Sequence, residues 1–125
     1  VTALLFIALA VAGGLGASAR MLLDGLIKSR MSVALPWGTI IINVSGSLAL
    51  GLLTGAAGTH VLPESWHLVL GTGFLGGYTT FSTASFETIR LIQERRWAAG
   101  LVNGFGTLAL ATAAAALGLW LGGLT

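Results

Sequence analysis

Five hydroxyls fall within seven residues at Thr79, Thr80, Ser82, Thr83 and Ser85, inside the stretch G-F-L-G-G-Y-T-T-F-S-T-A-S-F-E from Gly73 to Glu87. Thr39, Asn43 and Ser47 are spaced i, i+4, i+8, so on a helix they form one polar stripe. Asn103 and Thr107 repeat the i, i+4 spacing. Such groups donate hydrogen bonds without changing charge, which suits a track for a small solute. The competing reading is bonding between helices, at about 0.6 kcal/mol per pair. That reading is weaker for Asn43, because an amide carries two N–H donors as well as an acceptor. No nucleophile–base pair or metal cluster can be assembled from these residues, so an enzyme is not expected.

The elements that hold these groups must lie in a membrane. The chain has 125 residues, 55% hydrophobic and 8% charged, with a mean hydropathy of +0.93. It has no cysteine, which excludes disulfides and thiolate chemistry. The small net charge of +2 gives no reason to expect nucleic acid. Residues 1–19, 31–63, 65–86 and 97–125 lack Asp, Glu, Lys and Arg, and each can supply a span of about 20 residues. The expected spans are about 3–23, 37–58, 66–92 and 98–122, forming a single domain over 1–125. The fold class is an all-α membrane protein with four transmembrane helices. The first span is not expected to be a signal peptide: it lacks a basic start, and Gly13-Gly14-Leu15-Gly16 interrupts its apolar run.

The third span is expected to be broken near 73–80. Gly73, Gly76 and Gly77 weaken a helix by about 1 kcal/mol each, and the hydroxyls follow directly. Non-helical backbone at membrane depth needs protein or an aqueous cavity around it. A glycine-rich packing face is the other reading. Gly51/Gly55, Gly73/Gly77, Gly100/Gly104 and Gly118/Gly122 are each four apart, a spacing that lets helices approach closely. We assign that packing role to every pair except Gly73/Gly77.

Charge sorts the loops. Arg20, Lys28, Arg30, Arg90, Arg95 and Arg96 all fall at or after spans one and three, and so on one side. The opposite loop has His60, Glu64 and His67. The basic side is therefore cytoplasmic, and both termini face out. Asp24 and Glu64 are expected in loops. Trp37, Trp66, Trp97 and Trp120 sit near span ends, as interfacial anchors do.

The residues P-W-G-T-I-I-I-N-V-S-G (Pro36 to Gly46) and G-F-L-G-G-Y-T-T-F-S-T (Gly73 to Thr83), followed by Glu87, closely resemble the Fluc/CrcB fluoride channels. The resemblance covers essentially the whole chain. It implies passive, fluoride-selective export across the plasma (inner) membrane, relieving fluoride toxicity. It also implies an antiparallel, dual-topology dimer with two pores and a structural Na⁺ at its centre. By position, Asn43 is the pore asparagine, Phe81 the first of two pore rings, Thr107 a hydroxyl of the polar track and Glu87 a carboxylate near the pore end. Gly76 and Thr79 are the residues whose carbonyls hold Na⁺. We place Thr39, Ser82 and Thr83 along the pore as well.

The chain departs from that pattern at three positions. Ala84 stands where the second aromatic is expected, and Phe86 points about 140° away from Phe81. Ala111 replaces a span-four hydroxyl, and Asn103 an aromatic. A complete pore then needs residues from another chain. The charge bias also fixes one orientation, which favours a heterodimer with an oppositely oriented paralogue over a homodimer.

Two other functions compete with this reading. A proton-coupled multidrug exporter needs a carboxylate in the first span, and residues 1–19 have none. A non-transporting assembly subunit has no use for a polar stripe beside a broken helix. Fixed orientation predicts that a reporter fused to the C-terminus gives signal on the outer side only. Equal signal from both sides would exclude it.

Overall fold

The structure, a computed structural model, describes residues 2–31 and 35–125. The single-domain expectation also takes in residues 1 and 32–34, which lie outside the described residues. Helix α1 (Ala3–Lys28) starts at Thr2, whose hydroxyl accepts from the Leu5 N–H at 3.1 Å. It runs past the expected end at residue 23. Asp24, expected in a loop, therefore lies on α1, where it pairs with Lys28 one turn on (2.9 Å). The i, i+4 attraction and the cation at the helix C-terminus both favour this extension.

Helix α2 (Trp37–Gly58) follows Pro36. The next segment begins after Pro63 as α3 (Glu64–His67), continues through a π-helical stretch π1 (Leu68–Leu75) and ends as α4 (Gly76–Tyr78). After Thr79 and Thr80, α5 (Phe81–Gln93) resumes. The last segment comprises α6 (Trp97–Leu101), π2 (Val102–Gly106) and α7 (Thr107–Gly123). The architecture is all-helical, with about four helical segments. Ala3–Lys28, Trp37–Gly58 and Trp97–Gly123 are long and apolar enough to cross a membrane.

The glycines of the third segment do not interrupt it. Gly73, Gly76 and Gly77 are all helical, and extended backbone is confined to Thr79 (φ −81°, ψ 159°) and Thr80 (φ −148°, ψ 122°). Gly73 and Gly77 instead face α1. A Cβ on Gly73 would lie 3.0 Å from the Ala12 Cβ, and one on Gly77 would run into the Gly13 carbonyl. Gly16 of α1 reciprocates, since a Cβ there would strike the Phe74 carbonyl. The pair excepted in the sequence reading is thus a packing pair too.

The strongest packing joins α2 to α7. Gly51 and Gly55 of α2 meet Gly118 and Gly122 of α7 with backbone against backbone. A Cβ on Gly55 would lie 2.8 Å from the Gly123 nitrogen, and one on Gly118 would lie 2.8 Å from the Leu52 nitrogen. Small residues on both helices permit that approach, and dispersion contacts replace the hydrophobic drive that lipid does not supply.

Two helix ends use left-handed residues that are not glycine. His60 (φ 64°) follows α2, and Arg95 (φ 60°) follows α5. The Val61 N–H reaches the Ala56 carbonyl and the Arg96 N–H reaches the Leu91 carbonyl, which closes each end in a Schellman turn.

Gly122→Leu should destabilise the chain by about 1–3 kcal/mol in thermal unfolding in detergent, because backbone cannot yield to the added side chain. Gly14→Ala meets nothing within 4 Å. It should leave stability unchanged or raise it by up to about 1 kcal/mol.

Candidate functional site

The two extended residues create a problem that Asn43 solves. A helix running through Thr80 would bond its N–H to the Gly76 carbonyl. Here the Thr80 N–H donates to Asn43 Oδ1 at 2.8 Å. Asn43 Nδ2 donates back to the Thr80 carbonyl at 2.8 Å. One side chain on α2 thus satisfies both backbone groups of the irregular residue. Only this orientation of the amide pairs donor with acceptor at both ends, and it leaves one Asn43 N–H over. The Thr80 hydroxyl then caps α5 by accepting from the Thr83 N–H at 3.1 Å.

The preceding helix end is held from α1. Arg20 Nε donates to the Gly77 carbonyl at 3.3 Å. A cation there also complements the negative end of the helix dipole. Thr79 turns back on its own helix, with its N–H and its hydroxyl both donating to the Leu75 carbonyl (2.9 Å each). Tyr78 stacks on Phe74 with ring centroids 6.2 Å apart, and its hydroxyl lies 3.0 Å from that of Ser45 on α2.

These contacts frame an open groove of about 760 Å³. Its walls come from α2 (Asn43, Gly46, Ser47), π1 and α4 (Thr72, Gly76), the extended Thr79 and Thr80, α5 (Phe81, Ala84, Ser85, Thr88) and the last segment (Asn103, Thr107, Ala111). At one wall, Asn103 is only 3% exposed and donates to Thr88 Oγ1 at 2.8 Å. The Thr88 hydroxyl in turn donates to the Ala84 carbonyl at 2.9 Å. The Thr107 hydroxyl is buried and has no hydrogen-bond partner. Thr107 lines the groove, and among the described residues nothing uses its hydroxyl proton. Phe81 stands 87% exposed at the margin.

The structure sorts the expected site residues. Asn43, Phe81, Thr107, Gly76 and Thr79 come together on the groove. Thr39 is buried and lines neither cavity, while Ser82 is exposed away from the groove. Thr83 contributes its N–H to the Thr80 cap. Glu87 lies in a separate cavity of about 440 Å³, with Lys28 and Arg90. For a cation, the donor set is backbone oxygen. Diversion of the Thr80 N–H deprives the Gly76 carbonyl of its helical partner, and such oxygens suit a hard ion.

Sequence reasoning counted Thr80 among the clustered hydroxyls without giving it a role, and passed over Thr88. A signal existed for Thr80: a threonine immediately before a new helix is a preferred N-cap. None existed for Thr88, whose role depends on Asn103 arriving from a different helix.

An apolar helical chain with several segments long enough to cross a membrane, and with a groove between them, defines an integral membrane protein. More particularly, the chain belongs to the CrcB family: the family model described as CrcB-like protein, Camphor Resistance (CrcB), matches residues 7–119. It is 58% identical over 123 residues to the fluoride-specific ion channel FluC 1 of Leifsonia xyli subsp. xyli, covering 98% of this chain and 90% of the relative. It is 51% identical over 113 residues to FluC 2 of Cutibacterium acnes, covering 90% and 92%. To FluC 2 of Mycobacterium tuberculosis it is 39% identical over 120 residues, covering 96% and 92%.

Asn43→Ala leaves the N–H and C=O of half-buried Thr80 unpaired, at up to about 1–3 kcal/mol for each group that water does not reach. The variant should melt at a lower temperature than wild type. Asn43→Gln should not restore it, because the longer side chain displaces the paired amide.

Proposed function

We propose that this chain is one subunit of a fluoride-selective channel that lets fluoride leave the cell passively across the plasma membrane. The observation that carries the reading is the groove's donor set. Asn43 has an N–H left over after pairing with Thr80, and Thr107 has a buried hydroxyl with no partner. Fluoride is small and strongly hydrated, so a pore must replace its water with such donors. Neutral donors bind it firmly enough to enter and weakly enough to leave. The exposed edge of Phe81 adds the positive part of a ring quadrupole. The names of the relatives support fluoride as the ion.

The Thr79–Thr80 interruption then lies within the membrane. There Asn43 and the second subunit protect it from lipid. The groove is open on one side, and an antiparallel partner would close it. With Ala84 in place of a ring, the partner is a paralogue of opposite charge bias, and the complete pore draws on both chains. The carbonyls of Gly76 and Thr79 would contribute to a Na⁺ site at the centre of the pair, where the ion would supply positive charge beside the anion path. Among the expected pore residues, Thr39 and Thr83 support the walls from behind, and Ser82 faces the partner. Both termini face outward, and the loops after α1 and α5 face the cytoplasm.

No observation favours the exporter. The one carboxylate on α1, Asp24, is four residues from the helix end and pairs with Lys28. The groove and its orphan hydroxyl argue against a purely structural subunit.

The test is fluoride efflux from liposomes, with chloride as control and with a candidate paralogue supplied or withheld. Thr107→Val should slow fluoride efflux by about tenfold or more, the size of one lost hydrogen bond to an ion. It should not lower the melting temperature, because that hydroxyl bonds nothing within the protein. Unchanged efflux in Thr107→Val would remove Thr107 from the path. Chloride passing as fast as fluoride would remove the selectivity.

A further inference from the structure

Tyr78 is the last helical residue before the interruption. Its backbone is seated on α1, where a Cβ on Gly16 would lie 2.9 Å from the Tyr78 nitrogen. Its ring lies against α2, where a Cβ on Gly46 would come within 3.2 Å of it. The ring also stacks on Phe74, with 17° between the two planes. These contacts bring the Tyr78 hydroxyl to 3.0 Å from that of Ser45. The proton count gives the bond its direction. Ser45 has one hydroxyl proton and donates it to the Ile42 carbonyl at 3.2 Å. Tyr78 is therefore the donor and Ser45 the acceptor.

Helix α2 thus grips the interruption on both sides of Thr79. Asn43 holds Thr80, and Ser45, two residues further along α2, holds Tyr78. A trans peptide points its C=O opposite to its N–H. The Thr80 N–H points at Asn43, so the Thr79 carbonyl points away from Asn43. Rotation of the backbone at Thr79 would swing that carbonyl, and such rotation is arrested only while both neighbours are held. The Asn43 pair holds one neighbour, and the Tyr78 hydroxyl ties the other to the same helix.

We propose that Tyr78 is a positioning residue for the Na⁺ that the Gly76 and Thr79 carbonyls would hold. The role rests on the cation reading given above and adds to it a side chain that touches no ion. A hard cation is bound by oxygens whose directions are set in advance, and ligands that must be ordered on binding lower the affinity. Tyr78→Phe keeps the stack on Phe74 and the contact with Gly46 and removes only the bond to Ser45. The fold then persists with a looser pair of carbonyls.

Thermal unfolding of the purified dimer in detergent, formed with whichever partner chain efflux requires, tests the proposal without any transport step. Na⁺ is titrated against N-methylglucamine at constant ionic strength. Wild type should melt at rising temperature until the site fills. Tyr78→Phe should need about fivefold more Na⁺ for half of that rise, the fold-change of one net hydrogen bond. Ser45→Ala should give the same shift, and the double variant should add nothing, because a single bond is lost once. Ser45→Thr keeps the acceptor and should match wild type. An unchanged half-maximal Na⁺ concentration in Tyr78→Phe, with only the Na⁺-free melting temperature lowered, would overturn the proposal. Additive shifts in the double variant would count equally against it. Wild-type melting that ignores Na⁺ would overturn it together with the cation reading, whereas a Na⁺ response shared equally by wild type and Tyr78→Phe overturns the role of Tyr78 alone.

Discussion

Thr80 sits in extended backbone between two helices, and both its N–H and its C=O are taken by the amide of Asn43 (2.8 Å each). Few side chains can do this. A carboxylate would accept but not donate, and a hydroxyl is too short to meet both groups. An apolar surrounding cannot hydrate the peptide, so without this pair the irregular residue would be driven back toward helix. The pair also frees the Gly76 carbonyl and turns Thr79 and Phe81 toward the groove. Much of the groove's chemistry follows from a single reciprocal contact between distant parts of the chain.

That contact requires α2 and the third segment to be held in fixed register. Glycine provides the register. Gly51 and Gly55 lock α2 against Gly118 and Gly122 of α7, while Gly13 and Gly16 seat α1 against Phe74 and Gly77. Gly46, next to the Asn43 stripe, accommodates the Thr79 methyl group and the Tyr78 ring. Interfaces this close have little room to slide, because the opposing atoms are backbone. Arg20 adds a polar tether to the Gly77 carbonyl at 3.3 Å. Position and polarity are thus divided between residue types, with glycines setting distance and amides setting direction.

Stability is given up at recognisable places. His60 and Arg95 occupy left-handed backbone that glycine would adopt more cheaply. The Thr107 hydroxyl is buried without a partner, and so are oxygens of Glu87 and Asp24. A chain selected only for stability would fill or pair these groups. Thr107 and Glu87 each line a cavity, which fits sites that are completed by something outside the chain.

Much of this was legible in residue order. Composition and the spacing of charges set the membrane class and the number of helical segments, because removing apolar side chains from water requires no knowledge of neighbours. Trp37 and Gly58 bound a helix as Pro36 and the glycine-rich end foretold, and family motifs picked out Asn43, Phe81 and Thr107. Other features depended on contacts between segments. Gly73, Gly76 and Gly77 looked like the cause of a break, but glycine's cost in a helix is offset where another helix packs closely on it, as α1 does on Gly73 and Gly77. Glu87, expected near the pore end, lines a second cavity with Lys28 and Arg90, a neighbourhood that residue order does not reveal. Local sequence thus determined which segments are helical and which ends are basic. Only the tertiary structure decided where the helix stops and which polar groups remain unpaired, since both depend on partners brought from other helices.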